Sequence, residues 1–105
     1  MPAVTANNVT INKTDRGISH APPGNPVNVP EGGTVTACNR KSRRNARVRV
    51  IVDGEVTFNR SLRPDECVTL EVGSPELPNA QYTVSDPPAV LKIIGTTGAT
   101  FKFIR

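Results

Sequence analysis

Residues 46–60, ARVRVIVDGEVTFNR, alternate apolar and polar positions in two runs joined at Asp53-Gly54. A period of two is the pattern of a strand with one buried face. Asp-Gly between two such runs predicts a β-hairpin. Parity then predicts the loop length. A two-residue loop at Asp53-Gly54 sets Arg49 opposite Phe58 and mixes the faces. A three-residue loop, Val52-Asp53-Gly54 with Gly54 left-handed, sets Val50 opposite Val56 and Val48 opposite Phe58. That register keeps one apolar face and leaves Arg49, Glu55 and Thr57 on the other, so it is the one expected.

The same alternation recurs in residues 66–72, with Val68, Leu70 and Val72 on one side and Cys67, Thr69 and Glu71 on the other. Shorter strands are predicted at 34–39, around Val35 and Ala37, and at 81–85, around Tyr82 and Val84. A last hairpin is predicted from 89–94 and 99–104, turning through Gly95 and Gly98, with Leu91 and Ile93 facing Phe101 and Phe103. Between them lie a loop at 40–45, a turn at 62–66 with Pro64 at a favoured position, a loop at 73–79 and a break at Asp86-Pro87-Pro88. No window carries a helical apolar stripe. Strands at intervals of about 8–12 residues with turn residues between them predict an all-β sandwich or barrel.

Residues 1–33 differ in composition. They are rich in Asn, Thr, Pro and Gly, and residues 21–26 (APPGNP) exclude helix and central strand, because Pro lacks the N–H and restricts the residue before it. Val9-Thr10-Ile11-Asn12 suits a short strand. The segment is therefore expected to be an extended N-terminal arm with at most one or two edge strands, ahead of a body over residues 34–105.

A chain of 105 residues has the size of one domain. With no Trp, three Phe and one Tyr, its core must come mainly from Val, Ile and Leu, and ten Pro with eight Gly suit many turns. The opening Met1-Pro2-Ala3-Val4-Thr5 lacks a charged start before an apolar run, so no signal peptide is expected. No apolar run approaches the ~20 residues that cross a bilayer, and no membrane partner is expected. Cys38 and Cys67 fall on outward strand faces; a bridge is open to them, but without a leader free thiols are expected.

The net charge is +4 and the isoelectric point about 9.6. Arg40, Lys41, Arg43, Arg44, Arg47 and Arg49 put six cations in ten residues. Such a run suits an anion-facing surface, phosphate or acidic protein, and Arg in excess of Lys suits bidentate contacts with carboxylates. The competing explanation is a solvated loop that aids solubility. Missing aromatic neighbours count against single-stranded nucleic acid. These six residues are the candidate partner-binding set. His20 is the lone histidine, without a second imidazole or paired cysteine spacing, so no metal site, catalytic triad or cofactor is expected. Asp53, Glu55, Asp65, Glu66 and Glu71 are scattered over turns and outer faces and form no acid pair beside a sugar cleft. Gly32-Gly33 and the Gly95/Gly98 pair precede no helix and are turn glycines rather than phosphate loops.

Residues 31–72 resemble the immunoglobulin-like sandwich modules of the CARDB type. The matching pieces are Glu31-Gly32-Gly33-Thr34-Val35-Thr36, then Val48 to Gly54 (VRVIVDG), then Leu62-Arg63-Pro64-Asp65-Glu66 and the strand Cys67 to Val72. The chain departs from that pattern in its Arg-rich link and in lacking a buried Trp. The resemblance implies a small immunoglobulin-like β-sandwich and no activity. With an arm, a basic loop and no catalytic set, the architecture is similar to that of small decoration or cement proteins of phage heads. The expectation is a non-enzymatic virion-surface protein whose partners are capsid protein or copies of itself. An adhesion or carbohydrate-binding module and a nucleic-acid-binding β protein are the alternatives, and no small-molecule substrate is expected.

Overall fold

The computed structural model describes residues 3–78, 81–85, 92–95 and 99–104. These residues form eleven strands and no helix: β1 (Val4–Thr5), β2 (Asn8–Thr14), β3 (Gly17–Ala21), β4 (Val27–Pro30), β5 (Thr34–Asn39), β6 (Ala46–Val52), β7 (Glu55–Leu62), β8 (Cys67–Glu71), β9 (Gln81–Ser85), β10 (Lys92–Gly95) and β11 (Ala99–Ile104). One sheet has the order β3-β2-β5-β8, a second β1-β4-β9-β10, and a third β11-β6-β7. β10 and β11 lie side by side, joining the second and third into the layer that faces the first.

The arrangement is sandwich-like because each layer has one apolar face. Val9 and Ile11 of β2, Val35 and Ala37 of β5 and Leu70 of β8 meet Val27, Val29, Tyr82, Val84, Ile93, Phe101, Val48, Val50 and Leu62 in one buried cluster. The expected inward set of residues 66–72 holds, and Ile93 and Phe101 both lie in the core as expected. Leu91 lies outside the described residues.

Residues 4–30 differ from the extended arm expected of them. They carry four strands, and β2 is an interior strand, antiparallel to β3 and parallel to β5. Val9 and Ile11 are fully buried. β4 is interior as well, between β1 and β9. The polar composition misled because only one face of each strand must be apolar, and two buried residues suffice for strands this short. Gly33 fixes the crossing from β4 to β5: a Cβ there would lie 2.7 Å from Val29 Cγ1 and 2.8 Å from Asn7 O. No larger residue allows that approach, which lets Thr34 N–H donate to Asn7 O at 2.8 Å.

The β6–β7 hairpin also differs from expectation. Val52 pairs with Glu55, so the loop is the two residues Asp53 and Gly54. Both are left-handed, with φ of 51° and 84°, as the hairpin turn matched to strand twist requires. Parity is rescued by a bulge: Ile51 pairs with Val56, Val50 with Phe58, and Thr57 is the extra residue. The Thr57 hydroxyl donates to Glu76 O at 2.7 Å. Val56 is thereby turned outward and is 54% exposed.

Cys38 and Cys67, expected as free thiols, form a disulfide between β5 and β8. They are direct cross-strand partners on one outer face, so closure needs no rearrangement once the sheet has formed. It ties residues 29 apart in sequence, and loop-closure entropy gives such a bridge about 3–4 kcal/mol.

Two outcomes test this fold. Val50→Asp puts a charge between Phe58 and Phe101; it should cost several kcal/mol and abolish the cooperative melt, whereas Val56→Lys should change stability by less than about 1 kcal/mol. A severe effect of Val56→Lys in thermal denaturation would restore the three-residue loop. Replacing both cysteines by Ala should lower the melting temperature by about 10–20 °C; an unchanged melt would mean that the bridge contributes nothing.

Candidate functional site

Strand direction sorts the chain reversals to two ends of the sandwich. β2 and β5 run parallel, with β3 and β8 antiparallel to them. One end therefore collects the β2–β3 turn (Asp15, Arg16), the β5–β6 loop (residues 40–45) and the β7–β8 turn (residues 63–66). It carries Lys13, Arg16, Arg40, Lys41, Arg43, Arg44, Arg60 and Arg63 against Asp15, Asp65 and Glu66.

Asn39, the last residue of β5, organises this end. It is fully buried. Its Nδ2 donates to Arg44 O at 2.8 Å and to Leu62 O at 3.1 Å. Its N–H donates to Glu66 O at 3.0 Å, and its carbonyl accepts from Asp65 N–H at 2.6 Å. One residue thus clamps the basic loop, the end of β7 and the following turn. Arg40 N–H adds a bond to Lys13 O at 2.8 Å.

The loop has its own frame. Ser42 Oγ lies 2.9 Å from Asp15 Oδ1, tying the loop to the β2–β3 turn, and accepts from Arg44 N–H at 3.1 Å. Lys41 takes a left-handed conformation at φ 47°, uncommon for a residue with a long side chain. It is held there between Arg40 and Ser42. Lys41 and Arg16, with Thr14 and Asp15, line a cleft of about 590 Å³.

The six predicted cations do not converge. Arg40 Nε donates to Asn12 Oδ1 at 3.1 Å on the outer face of the β3-β2-β5-β8 sheet. Arg47 Nη1 donates to Asn59 Oδ1 at 3.0 Å on the outer face of the opposite layer. Arg49 sits beside Lys102 and Asn59 there, with Nε buried and unpartnered. Lys41, Arg43 and Arg44 are exposed at the end itself, and among the described residues no carboxylate pairs with them. Composition missed Arg16, Arg60 and Arg63 as members of this end. Arg16 lay in the supposed arm; its signal was Gly17 after a polar run, between Val9-Thr10-Ile11 and Ile18.

Glu66 balances the rim. Its carboxylate accepts from Arg63 N–H at 3.0 Å and lies 3.5 Å from Arg60 Nη2 and 3.9 Å from Arg63 Nη2. The bond from the Arg63 amide, helped by both guanidiniums and opposed by desolvation, holds its pKa below the ordinary carboxylate value. His20 Nε2 lies 2.9 Å from Gly24 O, inside the β3–β4 connection. Among the described residues no group of His, Cys, Asp and Glu is arranged to hold a metal ion. Comparison with known proteins finds no matching family model, curated protein or solved structure.

Asn39→Ala should remove the side-chain donor to the Leu62 and Arg44 carbonyls and destabilise the protein by about 1–3 kcal/mol. Hydrogen exchange should accelerate at residues 40–45 and 63–66 before the rest of the sheet. Unchanged exchange in those loops would mean that the β5–β8 disulfide and the backbone bonds hold them alone.

Proposed function

We propose that this chain is a non-enzymatic structural subunit of a larger protein assembly, docking through its basic end onto an acidic surface of a neighbouring subunit. The observation that carries the proposal is the pinned platform bearing Lys41, Arg43 and Arg44. These cations are exposed and unpaired, on a loop already ordered by Asn39 and Ser42, so little conformational entropy is lost on docking. Arg guanidiniums match carboxylates in bidentate pairs, and the described residues near them include no aromatic platform for nucleic-acid bases.

The immunoglobulin-like sandwich is the finer fold reading that accompanies this proposal. It is supported by residues 31–72, where a Gly-led strand, the hairpin and the Pro64 turn follow in the expected order; the parallel pairs β1–β4 and β2–β5 lie outside that resemblance. A virion surface, such as a phage head, is the setting proposed. The expectation of an arm lying over neighbouring subunits no longer supports it, since β2 and β4 belong to the domain's own sheets. The Cys38–Cys67 bridge does, because disulfides persist at virion and cell surfaces and rarely in a reducing cytosol.

The test uses poly-glutamate and a DNA duplex as probes. The protein should bind poly-glutamate in a salt-sensitive manner and prefer it to the duplex. Arg43→Glu with Arg44→Glu should leave the melting temperature within a few degrees while weakening that binding at least about tenfold, since two charge-assisted pairs are lost. Preference for the duplex would replace the proposal with nucleic-acid binding. Unchanged binding by the double variant would return the loop to a solubilising role.

A further inference from the structure

The end opposite the basic loop has the opposite charge. The β4–β5 turn, the β6–β7 turn and the segment after β8 meet there: Gly32 N–H donates to Val72 O at 3.0 Å, and the Thr57 hydroxyl reaches Glu76 O. This end bears Glu31, Asp53, Glu55, Glu71 and Glu76, all but Glu76 exposed, and no Lys or Arg among the described residues. No described ion pair neutralises any of the five.

The two ends are far apart on the scale of electrostatics in solution. Along β6 alone, Arg47 and Asp53 are separated by about 20 Å at the rise of a strand, against a screening length of about 8 Å at physiological salt. Neither end compensates the other within one molecule. Two molecules placed end to end bring them into contact.

We propose that the partner of the basic end is the acidic end of a second copy, so that the chain assembles head to tail. The inference rests on the docking function above and names its occupant. Charge complementarity selects the pairing, and Arg–carboxylate forks supply its contacts. Such a contact is heterologous: each copy keeps one free basic end and one free acidic end, so it propagates into a row or closes as a ring. The β7 edge competes poorly: it carries the Thr57 bulge and the exposed charge of Arg60, which is drawn to Glu66, and bulges and charged side chains on an edge strand block edge-to-edge pairing.

Sedimentation of the full chain tests this. The wild type should show concentration-dependent growth beyond a dimer at low salt. Raising ionic strength from about 0.05 to about 0.5 M, which shortens the screening length severalfold, should weaken association at least about tenfold. The basic-end variant, Arg43→Glu with Arg44→Glu, and the acidic-end variant, Glu55→Lys with Glu71→Lys, should each be monomeric and melt like wild type. Mixed, the unmutated basic end of one meets the unmutated acidic end of the other, so association should return. A wild type that stays monomeric at low salt, variants that associate like wild type, or a mixture that does not pair would each overturn the proposal. A monomeric wild type that still binds poly-glutamate through Arg43 and Arg44 would remove the second copy and leave the docking function standing. A monomer that binds neither would remove both.

Discussion

The basic end depends on one buried amide. Asn39 has donors and acceptors that run in three directions at once, to Arg44 O, to Leu62 O and to the backbone of Asp65 and Glu66. Leucine would fill the volume and withdraw the side-chain donor from both carbonyls. Aspartate would aim acceptors at acceptors and bury a charge. The cost of using Asn is visible in Oδ1, which is buried without a protein partner. The structure tolerates that because the amide holds an irregular loop against a sheet end, where no ladder of backbone bonds can reach. Cys38 and Cys67, one residue away on each side of the clamp, keep β5 and β8 in register beneath it.

Local patterning carried most of the strands. Residues 34–39, 81–85 and 99–104 matched their predicted bounds, and the outward parity of Cys38 and Cys67 was readable from neighbouring Thr residues. What failed was what depends on distant pairing. β2 gains its place from β5, some 26 residues later, and parallel pairing leaves no local turn to announce it. β3 and β4 are short, polar on one face and interrupted by Pro22 and Pro26, so composition resembled an arm. The hairpin failed for a different reason. Parity correctly required Val50 and Phe58 to share a layer, but two devices achieve that, a longer loop or a bulge. Thr57 is acceptable on either face, so nothing in the run 55–60 discriminates; the decision is made by Glu76 O, nineteen residues away.

The candidate site was partly legible for the same reasons. A run of six cations is visible in any sequence, but its division is not. Loop residues 41, 43 and 44 point off the end, while Arg40, Arg47 and Arg49 are drawn onto two opposite outer faces by Asn12, Asn59 and strand parity. Taken one by one, the acids are turn and outer-face residues. Only the topology brings Glu31, Asp53, Glu55, Glu71 and Glu76 to a common end.

That segregation bears on why the charges are there at all. A surface built only for solubility intersperses both signs, because mixed charge avoids large fields of one sign. Here cations outnumber acids eight to three at one end, while the other gathers five acids with no cation among the described residues, more than a screening length away from that excess. Both arrangements are unfavourable for an isolated molecule and both are relieved by a neighbour of matching geometry. A basic end alone would be relieved by any acidic surface or polymer. A basic end opposed by an acidic one, on a body whose β7 edge is blunted, is relieved most completely by another copy in the same orientation. The polarity of the strands, which sends β5, β2 and their loops one way and the β4–β5 and β6–β7 turns the other, is therefore also the polarity of the proposed assembly.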